Sequence, residues 1–137
     1  MHASDVPQPV SKRYSLRVLP GRLAVCKLAP HADIPDWARF GDLISITRTA
    51  AELSIVCAQP LVPKEVKAER DWRAFEVIGP LDFNLVGILA ALASTLAEAG
   101  ISIFALSTYD TDYLLVREVE LERAASALVE AGHSLEV

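Results

Sequence analysis

The stretch Ser107-Thr108-Tyr109-Asp110-Thr111-Asp112 sets three hydroxyls, those of Ser107, Thr108 and Thr111, beside the carboxylate of Asp112. Hydroxyl and carboxylate oxygens accept hydrogen bonds, which is what an ammonium group requires of its site. Donors for a carboxylate are expected where Asp82-Phe83-Asn84-Leu85-Val86-Gly87 enters a helix. The first turn of a helix has unpaired N–H groups and the positive end of the helix dipole. An acceptor-rich turn facing a donor-rich helix start suits a small zwitterion, a free amino acid above all. Asp82 opposes this, because a carboxylate there repels an incoming one unless it is capped away. Turn chemistry alone supports a second reading equally, in which Ser107 to Asp112 is a hairpin turn satisfied by its own side chains.

No other group of residues assembles a reaction centre. His2 lies in the leading segment, His31 beside Asp33 and His133 near the end, with no i, i+4 histidine pair, so no metal is expected. Ser107, Asp110 and His133 compose a triad only on paper, without a nucleophile-elbow sequence around the serine. Neither a G-x-G-x-x-G run nor a phosphate-binding loop occurs. The chain is therefore read as a non-enzyme, with no catalytic residue and no cofactor. Cys26 and Cys57 each sit in an alternating apolar stretch, the setting of buried, reduced thiols.

The charge balance narrows the partners. Net charge is −5, and residues 71 to 137 hold three Lys/Arg against eleven Asp/Glu, whereas residues 1 to 70 hold ten against seven. Nucleic acids and anionic membranes draw most of their affinity from clustered basic side chains, so neither is an expected partner. Hydrophobic residues make up 52% of the chain, yet no run approaches the roughly 20 apolar residues of a membrane span. Residues 1–12 have neither a charged start nor an apolar stretch and read as a frayed tail, which makes the expected location cytoplasmic.

The elements that must carry the turn and the helix start are clearest in the second half. Trp72 to Ile78 reads as a strand stopped at Gly79-Pro80. A helix follows, starting near Asp82 or Asn84 and running over Leu85 to Ala99, with Gly100 as its left-handed end. Ile101 to Leu106 and Tyr113 to Val116 form a hairpin. A second helix spans Glu118 to Ala131, with Val119, Leu121, Ala125, Leu128 and Val129 towards one side and Gly132 after it. Ser134 to Val137 supplies a last strand. The order is βαββαβ, the split ferredoxin-like motif.

The first half repeats the pattern in reduced form. Residues 44 to 56, ISITRTAAELSIV, overlie residues 104 to 116, FALSTYDTDYLLV, at an offset of 60, and AVCKLAP (24 to 30) overlies AFEVIGP (74 to 80) at an offset of 50. The ten residues lost between the two offsets come out of the first helix, leaving about Ile34 to Phe40, and Pro60 and Pro63 interrupt the second. The expected fold is α+β, two tandem ferredoxin-like βαββαβ units, the first with reduced helices, over 13–70 and 71–137. Glu52 is the counterpart of Asp112. With Arg48 it reads as a surface or interface ion pair or, if the pseudo-symmetry is functional, as the mark of a second or vestigial site.

ISIFALSTYDTDYLLV, GPLDFNLVGILAALASTLAEAG and SITRTAAELSIV together resemble the ACT-domain proteins of the CASTOR type, over nearly the whole chain after Arg13. The resemblance implies tandem ACT-type units that bind amino acids or similar small effectors at an interface between units, and arginine sensing in the eukaryotic members. It places the loop over 82–87 and the acid of the Thr111-Asp112 pair near the ligand. Those members hold four ACT units and this chain two, so a comparable assembly requires a homodimer or higher homo-oligomer, and arginine is one candidate ligand among several. The alternative from another class is an oligomerisation or protein-interaction module without a small ligand.

Overall fold

The computed structural model describes residues 13–81 and 86–136. Strands and helices follow in the order β1 (Ser15–Val18), β2 (Leu23–Leu28), β3 (Ser45–Arg48), β4 (Leu53–Ala58), β5 (Ala68–Val77), α1 (Ile88–Glu98), β6 (Ile103–Ser107), β7 (Asp112–Arg117), α2 (Leu121–Glu130) and β8 (Ser134–Glu136). The fold is α+β, and β5-α1-β6-β7-α2-β8 is the βαββαβ run expected of the second half. In the first half, short 3-10 turns at Asp36–Ala38 and Gln59–Leu61 stand where the helices would be. Pro35 precedes the first, and Pro60 lies inside the second.

One strand joins the halves. Early in β5, Ala68 and Glu69 pair with Cys26 and Val25 of β2, whereas Trp72 to Glu76 pair with Arg117 to Tyr113 of β7. Between them Asp71 takes φ 66°, and the register against β2 shifts. The Gln59 amide holds this bulge from both sides, donating to Asp71 Oδ1 at 3.0 Å and accepting from the Asp71 N–H at 2.6 Å. The expected boundary between 70 and 71 falls within β5, at this bulge. β1, inside the expected 13–70 unit, lies in the second unit's part of the sheet: Leu16 is opposite Val77 of β5 and Leu135 of β8. Leu16 is fully buried there with Phe75 and Leu128, and that burial outweighs proximity in sequence.

Two helices cover one face of the second unit. Ile88, Leu92 and Leu96, four residues apart, turn inwards from α1 onto Phe75, Val77 and Leu114. Both helices end on the glycines expected to stop them: Ile101 N–H bonds Leu96 O and Gly100 N–H bonds Ala97 O, and His133 and Gly132 repeat the pattern on Leu128 and Val129. This paired closure satisfies terminal carbonyls through a left-handed glycine. Two details of the expected helices are corrected. The first begins at Ile88 with Gly87 at φ 89° as its N-cap, so Val86 and Gly87 are not part of it, and the expected start over Asp82 to Leu85 lies outside the described residues. The second opens with a 3-10 turn, Glu118–Glu120, whose tighter winding carries Val119 off the buried stripe. Val119 and Val129 are exposed, and Ala124 and Leu128 are the buried residues of α2.

The first unit packs a smaller core of Ala24, Cys26, Ala38, Leu53, Ile55 and Cys57 beneath its 3-10 turns. Both cysteines are free and buried. A hydrogen bond from Cys57 holds the Cys26 thiol below its usual range, while the same contact and burial push Cys57 up. A third cluster, including Leu23, Val56, Trp72, Ala74 and Leu115, faces the side of the sheet without helices. Arg117 lies over the Trp72 ring at 4.4 Å, and Phe104 meets the same ring edge-on. Among the described residues no helix is long and apolar enough to cross a membrane.

Candidate functional site

The β6–β7 hairpin is built as a self-bonded turn. Thr108 N–H donates to Thr111 O at 2.8 Å, the Thr108 hydroxyl bonds the same carbonyl, and Thr111 N–H returns a bond to that hydroxyl. The Thr111 hydroxyl donates to the Val77 carbonyl at the end of β5. The Ser107 hydroxyl donates to Asp112 Oδ1 at 2.6 Å across the strand pair. Thr108 and Thr111 are thus committed to holding the turn in place. The other Asp112 oxygen has no bond to any described residue.

The chain leaving β5 is drawn onto the same turn. Leu81 N–H donates to Asp110 O at 2.8 Å. Gly79 packs so closely that a Cβ added there would lie 3.0 Å from Leu81 N and 3.1 Å from Asp110 O, so a larger residue would push this backbone apart by a few tenths of an ångström. Gly79–Pro80 is a cis peptide.

The start of α1 comes to the turn from the other side. Gly87 stands at its N-cap without a side-chain cap, and its carbonyl receives the first helical bond from Ala91 N–H at 2.9 Å. The N–H groups of Ile88, Leu89 and Ala90 therefore have no partner within the helix. These residues, Leu81 and Gly87 form one wall of a cleft of about 340 Å³, and Ser107 to Asp112 form the other. The uncapped helix start and the acceptor-bearing turn thus line one cleft, and no Lys or Arg is among its described lining residues.

Of the expected site residues, Gly87, Ser107, Thr108, Thr111 and Asp112 line this one cleft. Val86 does not, because it points into solvent with 92% of its surface exposed. Asp82, Phe83, Asn84 and Leu85 lie outside the described residues. Ile88, Leu89 and Ala90 were not singled out by sequence, since they contribute backbone N–H groups that side-chain type does not mark. Asp110 contributes a carbonyl, likewise invisible to a search for side chains. The paper triad does not form: Ser107 is bonded to Asp112, and His133 Nδ1 accepts the Tyr14 N–H at 3.1 Å, beside the Tyr14 ring.

The same place in the first unit is built differently. Arg48, at the position of Thr108, reaches across to the carbonyls of Pro30 and Ala32, with 2.8 Å to the latter. Pro30 is the counterpart of Pro80. In the second unit the incoming loop meets the hairpin directly, through Leu81 N–H on Asp110 O, and a cleft stays open between the hairpin and α1; in the first, a guanidinium bridges hairpin and loop. Glu52 makes no ion pair with Arg48; its backbone closes the hairpin on Thr49.

The chain is 42% identical to protein Atu0741 from Agobacterium tumefaciens, over 92% of this chain and 94% of that one, with a TM-score of 0.87. A family model described as the ACT domain matches residues 67–130, and an N-terminal domain model matches residues 21–65. The chain belongs to the family of the Agobacterium protein and carries an ACT domain. Two solved structures share this protein's fold at lower identity: VC0802 from Vibrio cholerae (22%, TM-score 0.70, 85% of this chain and 88% of that one) and the regulatory subunit of aspartate kinase from Thermus thermophilus (13%, TM-score 0.56, 85% and 96%). No curated protein matches the sequence. The ACT model begins at Lys67, just before β5, and ends with α2, so it contains both walls of the cleft.

Proposed function

We propose that this ACT-domain protein is a cytoplasmic regulatory module that binds a free amino acid in the cleft between α1 and the β6–β7 turn. The ligand carboxylate meets the N–H groups of Ile88, Leu89 and Ala90, and its ammonium meets the remaining Asp112 oxygen. The observation that carries this reading is the convergence of an uncapped helix start and an acceptor-bearing turn on one cleft. Gly87, Ser107 and Asp112 are proposed as contact residues, with Thr108 and Thr111 as the frame. The loop over 82–85 belongs to the same proposal. Assembly follows a CASTOR-like plan in which two chains, each of units 13–70 and 71–137, bring four ACT-type units together. Val86 and Tyr109, exposed by 92% and 81% near the cleft, offer apolar surface for a second chain to cover. Ligand at that interface favours one packing of the units over another. The Thermus protein that shares this fold is the regulatory subunit of an aspartate kinase, in keeping with this role.

Calorimetry against the standard amino acids, with Asp112→Ala as control, tests the site. Heat with at least one amino acid, lost in the variant, supports it; binding that survives unchanged in the variant rejects it. The committed hydroxyls of Thr108 and Thr111 favour a second reading, an oligomerisation module without small ligand. Thermal-shift screening separates the two, because a ligand that binds only the native state must raise Tm.

A further inference from the structure

A cavity of about 660 Å³ lies on the side of the sheet without helices, away from the cleft described above. Side chains of β2 alternate: Ala24 and Cys26 enter the first unit's core, whereas Val25 and Lys27 face this groove. Val25 forms its apolar floor with Phe104 and Leu106 of β6. Lys67 lines it too, from the chain entering β5. The register that sets Cys26 opposite Ala68 sets Lys27 opposite Lys67 one step on, where the Lys27 N–H donates to the Lys67 carbonyl at 2.9 Å.

Two like charges directly opposite each other on one sheet face repel. Neither lysine has an ion-pair partner among the described residues. Two acids also line the groove: Glu69 is 3.9 Å from Arg117, and Glu52, in the β3–β4 hairpin loop opposite Thr49, forms no ion pair with either lysine. The hydroxyl of Ser54 adds a neutral donor beside the lysines. A mostly apolar concavity of this volume with a few convergent polar groups is the usual form of a small-molecule site.

We infer that this groove binds an amphipathic organic anion, its carboxylate between Lys27 and Lys67 and its apolar chain on Val25, Phe104 and Leu106. The anion relieves the lysine repulsion, and the chain removes the floor from water. The site is separate from the amino-acid cleft and shares no residue with it, so its failure leaves that reading standing.

The test uses the intact chain and two probes of equal length and opposite charge, octanoate and octylammonium, below their micelle concentrations, followed by calorimetry. Saturable binding of octanoate but not octylammonium is expected. The Lys27→Ala/Lys67→Ala variant loses charge-assisted contacts and should bind octanoate about tenfold or more weakly, whereas Lys27→Arg/Lys67→Arg retains binding. Equal affinity for the two probes, or unchanged octanoate affinity in the alanine variant, overturns the site. If the alanine variant instead alters the sedimentation mass while octanoate gives no heat, the groove is an interface between copies and the inference fails. A circular-dichroism melt of each variant establishes that it is folded.

Discussion

The two halves of this chain share one strand-and-hairpin plan and differ at the position where hairpin and incoming loop meet. In the second unit, Thr108 bonds within its own turn and leaves a cleft roofed by the start of α1. In the first, Arg48 extends across and donates to Pro30 and Ala32. The helices account for the contrast. Where α1 exists, its uncapped N–H groups form the opposite wall. Where it has shrunk to Asp36–Ala38, loop carbonyls are left over, and carbonyls call for a cation. The same duplicated position thus presents donors in one unit and acceptors in the other, so a site for a zwitterion is expected in the second unit alone.

Removing what anchors α1 should have the largest effect on this contrast. Leu92 is fully buried beneath the helix, and Leu92→Ala is expected to cost about 3 kcal/mol in urea unfolding. Amino-acid binding should weaken as well, because the wall it anchors loosens. Gly79→Ala forces a Cβ to 3.0 Å from backbone and is expected to cost about 2 kcal/mol, with loss of binding. An effect under about half a kcal/mol would show that the loop is not held against the turn.

Exchanging the distinguishing residues probes the contrast itself. Arg48→Ala removes two exposed charge-assisted bonds and should cost about 1 kcal/mol. Thr108→Arg brings the first unit's side chain into the second unit's cleft, removes the two hydroxyl bonds within the turn, and should abolish amino-acid binding in calorimetry at a cost in stability of about 1 kcal/mol. If binding persists in Thr108→Arg, the difference between units is incidental.

The smallest effect concerns pH. Burial lowers the His133 pKa from its ordinary 6.5, so the folded chain favours the neutral ring that accepts the Tyr14 N–H. The unfolded chain takes up the proton first as pH falls. The stabilisation is complete above 6.5 and declines as pH drops towards the lowered native value. Tm measured across that window should fall, and His133→Gln should flatten the slope.

Much of this architecture was legible because each cue acts locally. Gly100 and Gly132 stop helices by conformations only glycine adopts readily, and the alternation around Phe104 and Leu114 marks a hairpin irrespective of what surrounds it. The insertion of β1 was not legible, since SLRV is short and its place depends on burying Leu16 beneath a helix more than a hundred residues away. Gly87 moved the helix start by a left-handed turn that the apolar run conceals. At the cleft, the hydroxyls and Asp112 were identifiable by type. The donors of Ile88, Leu89 and Ala90, and the carbonyls that Arg48 engages, belong to backbone and carry no signature in residue identity.

The number of amino-acid molecules bound per chain, from calorimetry at saturation, tests the asymmetry most directly. A single molecule per chain, absent in Asp112→Ala and retained in Glu52→Ala, is the predicted result. Two per chain, or one that vanishes with Glu52 and survives without Asp112, would contradict it.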